Sequence, residues 1–280
     1  MFKEPLFEVQ DISSDEDERL DLSEVRSLST KAFVQDYLNQ EVPLSLKFNE
    51  KEQSATLYLV RPEGGVFAGG ASNTVAIPKD GYFIYFKSQL ERGVSGEAIA
   101  SFSATVLPWK ENSICTQNLD EAEDIIVTPI LEGCTFVIDK KNAEVHHINA
   151  QTESGNISVD LMHTKIEKLM RENSLSESDI IVIGPQSGTE SYHFKEHEKL
   201  ANIANVVGVK TQAVWEFNVH TYGINCESEE YEIDQVSVKR YSIGDKAIAR
   251  SPKTVFASEA SEAKHKKSIC ETISESCVIL

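Results

Sequence analysis

Closely spaced apolar segments of strand length dominate the first half of the chain, and they constrain its fold more than any other feature. They are 44–48 (LSLKF), 55–61 (ATLYLVR), 82–87 (YFIYFK), 101–107 (SFSATVL), 125–131 (IIVTPIL), 134–139 (CTFVID) and 143–149 (AEVHHIN). Short segments rich in β-branched and aromatic residues cannot bury their apolar faces singly; they must pair into sheets, and the sheets must then be covered. The Gly-rich stretch 64–70 reads as a pair of turns, since it lacks the Lys-Ser/Thr and helix of a phosphate loop. Ser29 or Thr30 is positioned to cap a short helix through Leu38. The second half changes period. Residues 159–173 place Leu161, Ile166, Leu169 and Met170 at helical spacing, 179–183 reads as a buried strand, 189–206 as a further helix, and 212–222 with 231–242 as a closing pair of strands. The expectation is an α/β (α+β) sandwich, with mixed β-sheets flanked by helices in a single domain over 29–248.

The ends differ in character. Residues 1–28 form an acidic arm containing SSDEDER, and from 249 to 280 the apolar period gives way to a tail of Ser, Lys, Glu and Ala. The 27 basic and 45 acidic residues leave a net charge of −18, a surface that phosphate backbones repel, so nucleic acid is not an expected partner. The first residues, MFKEPLFEVQ, do not have the pattern of a cleavable secretory signal, and no apolar run reaches the length of a membrane span. The five cysteines (Cys115, Cys134, Cys226, Cys270, Cys277) form no CxxC, which argues against a zinc ribbon, a dithiol site or a disulfide framework. Each thiol is therefore a packed residue, a nucleophile or a lipid attachment point.

Cys134 and His147 carry the sharpest chemistry. Segments 134–139 and 143–149 form a hairpin around Lys140-Lys141-Asn142. A loop at Lys140-Lys141 sets Cys134 opposite His147, and a loop one residue later leaves His147 diagonal to it. Both registers put the two side chains on one face and His146 on the other, whereas a three-residue loop would reverse this. A thiol beside an imidazole is an activated nucleophile, and the Glu132-Gly133 turn before it can aim backbone N–H groups at a developing oxyanion. The same spacing also suits a buried Cys packed against a half-buried His.

The segments TLYLVRPEGGV (56–66), LPWK (107–110), T-P-I-L-E-G-C (128–134) and V-H-H-I-N-A (145–150) resemble the Burkholderia lethal factor family of glutamine-deamidase toxins. The family shows TxxLSGC followed by V-W-H-I-D-A, matched here at Thr128, Leu131, Gly133 and Cys134, and at Val145, His147, Ile148 and Ala150. Glu132, His146 and Asn149 stand where the family has Ser, Trp and Asp, and the Cys-to-His interval is slightly longer. Fainter similarity extends over 200–242. The resemblance implies a cofactor-free deamidase in which Cys134 attacks a glutamine carboxamide, His147 shuttles the proton, Thr128 orients the imidazole through its carbonyl or hydroxyl, and Gly133 supports the oxyanion. It implies as target the DEAD-box helicase of eukaryotic translation initiation, with inhibition of translation. A Rho-type GTPase is the other target class, through the more distant cytotoxic necrotizing factors. Such an effector acts in the cytoplasm of a host cell.

Two further patterns stand apart. Cys277-Val278-Ile279-Leu280 fits a prenylation box of the geranylgeranyl type, with Lys264, Lys266 and Lys267 upstream and Cys270 available for a second acyl chain. Prenylation would place the protein at a host membrane. His193-Phe194-Lys195-Glu196-His197 fits HxxEH, a zinc-hydrolase pattern that equally suits a solvated helix face, so no metal is assigned. His163, His220, Trp109 and Trp215 read as packing or surface residues. A non-catalytic, membrane-tethered interaction protein is the third function class.

Overall fold

The computed structural model describes residues 22–39, 44–46, 54–61, 66–69, 73–76, 81–90, 96–131, 133–185, 190–191, 200–225, 232–243 and 253–256. Chain order begins with β1 (Arg26–Ser27), helix α1 (Thr30–Phe33), β2 (Leu44–Leu46), β3 (Ser54–Arg61), β4 (Val66–Gly69), β5 (Asn73–Ala76) and β6 (Tyr82–Phe86). Helix α2 (Lys87–Leu90), β7 (Glu97–Val106), β8 (Ile114–Asn118), β9 (Ile125–Val127), β10 (Thr135–Asp139), β11 (Glu144–Ile148) and helix α3 (Val159–Glu172) follow. The chain continues through β12 (Ile180–Gly184), β13 (Glu190–Ser191), β14 (Leu200–Thr211), β15 (Val214–Asn225), β16 (Glu232–Ile243) and β17 (Lys253–Phe256).

These strands form a large mixed sheet in the order β17-β16-β15-β14-β9-β7-β3-β6-β2, a small sheet in the order β13-β12-β10-β11-β8, and the hairpin β4–β5. The two larger sheets pack face to face. Phe136, Ile138, Val145 and Ile183 of the small sheet share one core with Ile126, Ala204, Val206, Phe217 and Val219 of the large one. The outer face of the small sheet is covered by α3, whose Met162, Ile166 and Leu169 meet Val137 and Ile148. The outer face of the large sheet receives Phe33 and Leu38 from the N-terminal helical segment, packed on Leu57, Leu59, Phe102, Val207 and Val209. Helix, sheet, sheet and helix stack as an α+β sandwich, as the strand spacing leads one to expect.

Local chemistry explains the well-read elements. Ser29 caps α1 by accepting from the Ala32 amide, and Ser158 caps α3 by accepting from the Leu161 amide. The first segment continues from α1 as a π-helical turn, Val34–Leu38. Three expectations are corrected. The helix expected over 189–206 is replaced, in its described part, by β13 and the start of β14. The physical reason lies in β14, where Ala204 and Val206 face the inter-sheet core while Val207 and Val209 face the helical layer. Burial on both faces removes the alternation that marks a strand. Within the Gly-rich stretch 64–70 read as turns, Val66–Gly69 forms β4, which pairs with Asn73–Ala76 beyond it. Within the segment read as a tail, Lys253–Phe256 adds β17 to β16.

Candidate active site

Cys134 lies where the chain passes from one sheet to the other. Thr128 fastens the departing end to β14: its amide donates to the Val206 carbonyl, its hydroxyl accepts from the Val206 amide at 3.0 Å, and its carbonyl accepts from Asn205 Nδ2 at 3.2 Å. Leu131 exchanges backbone hydrogen bonds with Ala204 in the same strand. Gly133 then takes φ +76°, a left-handed conformation that favours glycine, and a Cβ at this position would run into the side chain of Ile157. Cys134 follows and leads into β10. The sequence motif thus corresponds to a crossing segment anchored on the large sheet and delivered into the small one.

The hairpin register is the second of the two that the sequence allowed. Phe136 pairs with His147, and Asp139 with Glu144, across the four-residue connection 140–143. That connection is fixed by Asp139, whose Oδ1 accepts from the Lys141 and Asn142 amides at 2.9 and 3.0 Å, and by Ala143 at φ 53°. Continued by one step, the register sets Asn149 opposite Cys134 and leaves His147 diagonal to it on the same face. A diagonal pair is about 7–8 Å apart at Cα, within the span of an imidazole.

Asn149 occupies the position opposite the thiol in full. Its Nδ2 donates to Cys134 Sγ at 3.4 Å, while its Oδ1 accepts from the Asn112 amide at 3.0 Å. The backbone donor fixes which end of the carboxamide faces the sulfur, since only the NH₂ end remains for it. Asn112 is itself set by accepting from the Gln151 amide at 2.6 Å. An N–H aimed at sulfur stabilises negative charge there, the state in which a cysteine is nucleophilic.

His147 is 1% exposed, and neither of its ring nitrogens has a hydrogen-bond partner among the described residues. Burial pushes its pKa down to about 4, so the ring is neutral at pH 7 and keeps a lone pair for a proton. Its neighbours across the sheet are Phe136 on β10 and Cys115 on β8. Thr128 is also buried, but both its hydroxyl and its carbonyl are engaged on β14, and neither hydrogen-bonds the imidazole. Its evident work is to hold the crossing segment.

Two residues of this face were not singled out as functional from sequence. Asn149 drew notice only as a departure from the family pattern. Cys115 sits on β8, a strand with too little apolar content to stand out, and lands directly opposite His147. Burial pushes the Cys115 thiol up, with Lys110 opposing, so this sulfur stays protonated. Cys134 and Cys115 therefore flank one imidazole, and only Cys134 has the carboxamide donor.

His146 points to the opposite face, as the spacing led one to expect. It meets Thr116 Oγ1 through Nδ1 at 2.9 Å and approaches Glu144 Oε2 through Nε2 at 4.0 Å. His220 is a packed residue, fully buried on β15. Glu132, Cys226, the HxxEH residues His193, Glu196 and His197, and Cys270 and Cys277 of the C-terminal pattern lie outside the described residues. No described helix is long and apolar enough to cross a membrane.

No family model matches the chain, and no curated protein sequence matches it either. Among solved structures, the C-terminal domain of CNFy from Yersinia pseudotuberculosis aligns with a TM-score of 0.36 at 13% identity. The alignment covers 68% of this chain and 73% of that one.

Proposed function

We propose that this chain is a cysteine-dependent deamidase that converts a glutamine of a eukaryotic host protein to glutamate. The observation that carries the reading is the thiol of Cys134, which receives the Asn149 carboxamide N–H and shares a face with a buried, neutral imidazole that has no hydrogen-bond partner among the described residues. The resemblance of 128–134 and 145–150 to the Burkholderia lethal factor family supports the same assignment.

The chemistry follows from the groups present. The Cys134 proton passes to His147 as Sγ attacks the carboxamide carbon, opening C=O to an oxyanion. Backbone N–H groups of the Gly133 turn are the natural donors to that oxyanion. The C–N bond breaks as His147 returns the proton to nitrogen, ammonia leaves, and a thioester remains. Water then loses a proton to His147 and attacks the thioester carbon; the C–S bond breaks, the sulfur regains a proton, and glutamate is released. Thr128 acts indirectly, by anchoring the segment that presents Cys134. The target proposed first is the translation-initiation helicase, with a Rho-type GTPase as the alternative.

The test adds purified protein to a eukaryotic cell-free translation reaction, with Cys134→Ser and Cys115→Ser variants alongside, and searches all proteins for glutamine-to-glutamate conversion by peptide mass spectrometry. Conversion by the wild type and Cys115→Ser, but not by Cys134→Ser, is the expected result. Conversion in the helicase together with translation arrest identifies that target, and conversion elsewhere replaces it. No conversion by any protein, or conversion that depends on Cys115, overturns the mechanism. Host-membrane attachment through Cys277 is a separate proposal, expected to disappear from fractionated host cells in Cys277→Ser.

A further inference from the structure

The face of the small sheet that carries His146 holds a cluster that the deamidation chemistry does not use. Asp139, Glu144 and His146 each place a ligand atom within 4.8 Å of the other two, the one such grouping found among the described residues. The register explains how they meet: Asp139 pairs with Glu144, and His146 follows Glu144 by two residues on the same side of β11. Asp139 is fully buried and ordered by three donors, the Lys141 and Asn142 amides and Asn142 Nδ2 at 2.8 Å. Its Oδ2 accepts only the last of these and keeps a second lone pair.

His146 supplies the observation that points to a ligand. It is 1% exposed, its Nδ1 is engaged with Thr116 Oγ1, and its Nε2 has no hydrogen-bond partner among the described residues; Glu144 Oε2 lies at 4.0 Å, beyond hydrogen-bond range. The tautomer sets the direction of the Nδ1–Thr116 Oγ1 bond. With the proton on Nδ1, Nε2 turns a bare lone pair toward a carboxylate, and the two lone pairs repel unless a cation lies between them; with the proton on Nε2, that N–H is left 4.0 Å from Glu144 Oε2 with its hydrogen bond unmade. The arrangement matches the second-shell support of a metal-bound histidine, in which a fixed Nδ1–H sets the tautomer and frees Nε2. Glu144 remains 27% exposed on its side chain, which gives an ion access from solvent.

We propose that Asp139, Glu144 and His146 form a divalent-cation site of the zinc class at the closed end of the β10–β11 hairpin, on the face opposite Cys134. One imidazole with two carboxylates suits a borderline cation better than calcium or magnesium, which take oxygen ligands throughout. The ion ties the two strands together two residues from the turn. Its role is to hold the hairpin that carries His147, and it touches no reacting atom.

The test titrates full-length reduced protein with Zn²⁺ in a calorimeter, and with Co²⁺ as a spectroscopic stand-in, because the thiols and the HxxEH pattern are rival ligands. The expected result is one Co²⁺ with no thiolate charge-transfer absorption. Zn²⁺ affinity should fall more than tenfold in Glu144→Gln and His146→Gln, and be retained in a His193→Gln/His197→Gln double variant. Thr116→Val, which removes only the tautomer-setting hydroxyl, should cost about tenfold and guards against misfolding of the ligand variants. A raised melting temperature with Zn²⁺ should accompany wild-type binding and be absent in Glu144→Gln. A sulfur charge-transfer band, affinity unchanged across Glu144→Gln and Thr116→Val, preference for Ca²⁺, or no binding would each overturn the site.

Discussion

His146 and His147 are consecutive residues of one strand, equally buried, and burial brings both to a pKa of about 4. Their surroundings are otherwise opposite. His147 faces a thiol-lined, apolar seam between two sheets, with Phe136 and Cys115 beside it and, among the described residues, nothing bonded to either nitrogen. His146 faces a hydroxyl and two carboxylates beside α3, with Asp139 partly opposing the effect of burial on its pKa. On the roles proposed above, alternation along a strand separates a proton acceptor from a ligand by a single residue. A strand one layer deep in protein can serve two chemistries back to back, because its two faces share a backbone and no solvent.

The comparison breaks most completely at the thiol. Cys134→Ser should lower deamidation by about 10⁴-fold or more, while His146→Gln, one face away, changes it far less, and single-turnover conversion of the modified glutamine measures both. His147→Ala should cost about 10²- to 10⁴-fold in the same assay. Asn149→Ala removes the N–H on sulfur; for a hydrogen bond to a charged group, a loss of about ten- to a hundredfold is expected, with the rate falling at neutral pH and partly recovering at higher pH. An unchanged pH profile would reduce Asn149 to a packing residue.

Stability gives two smaller contrasts. Phe136→Ala opens a cavity between the sheets beside Phe217 and should cost about 3–5 kcal/mol in urea unfolding. The pH dependence of His147 is gentler. Its pKa is about 4 when folded and 6.5 ordinarily, so between those values the unfolded chain binds more protons than the folded one. Its contribution is complete above pH 6.5 and is lost as pH falls toward 4, by about 1.4 kcal/mol per pH unit at most. Burial is the cause of the shift, and the strand neighbours Phe136 and Cys115 carry no acid that would reverse this sign near neutrality. His147→Gln should flatten the decline in stability measured between pH 7 and pH 5.

Much of this was legible in the residues. The strand cores at 55–61, 125–127 and 135–139 follow from local period and branching, and the α3 stripe does so in part: Ile166 and Leu169 are buried, while Leu161 is exposed and Met162 takes the inward place. The shared face of Cys134 and His147 followed for two of the three loops that the spacing admits. The register was not, because both loops that place the pair on one face are allowed by spacing; Asp139 decides it by bonding the amides of Lys141 and Asn142. Strand β14 was hidden by its own burial on both faces. The donor at Cys134 was hidden for a different reason: Asn149 is oriented by Asn112, 37 residues earlier, and no periodicity encodes a contact between two loops.

The Leu131–Cys134 crossing has a consequence for how this molecule loses function. With Cys134 as the proposed nucleophile, its mounting at the seam makes it a coincidence detector, correct only while each sheet is intact and both are docked. Mild denaturation that lets the layers part should silence the proposed deamidation while the secondary structure, read by circular dichroism, persists. Activity would then be the earliest reporter of unfolding, and a partly opened chain would be chemically harmless to the cell that makes it.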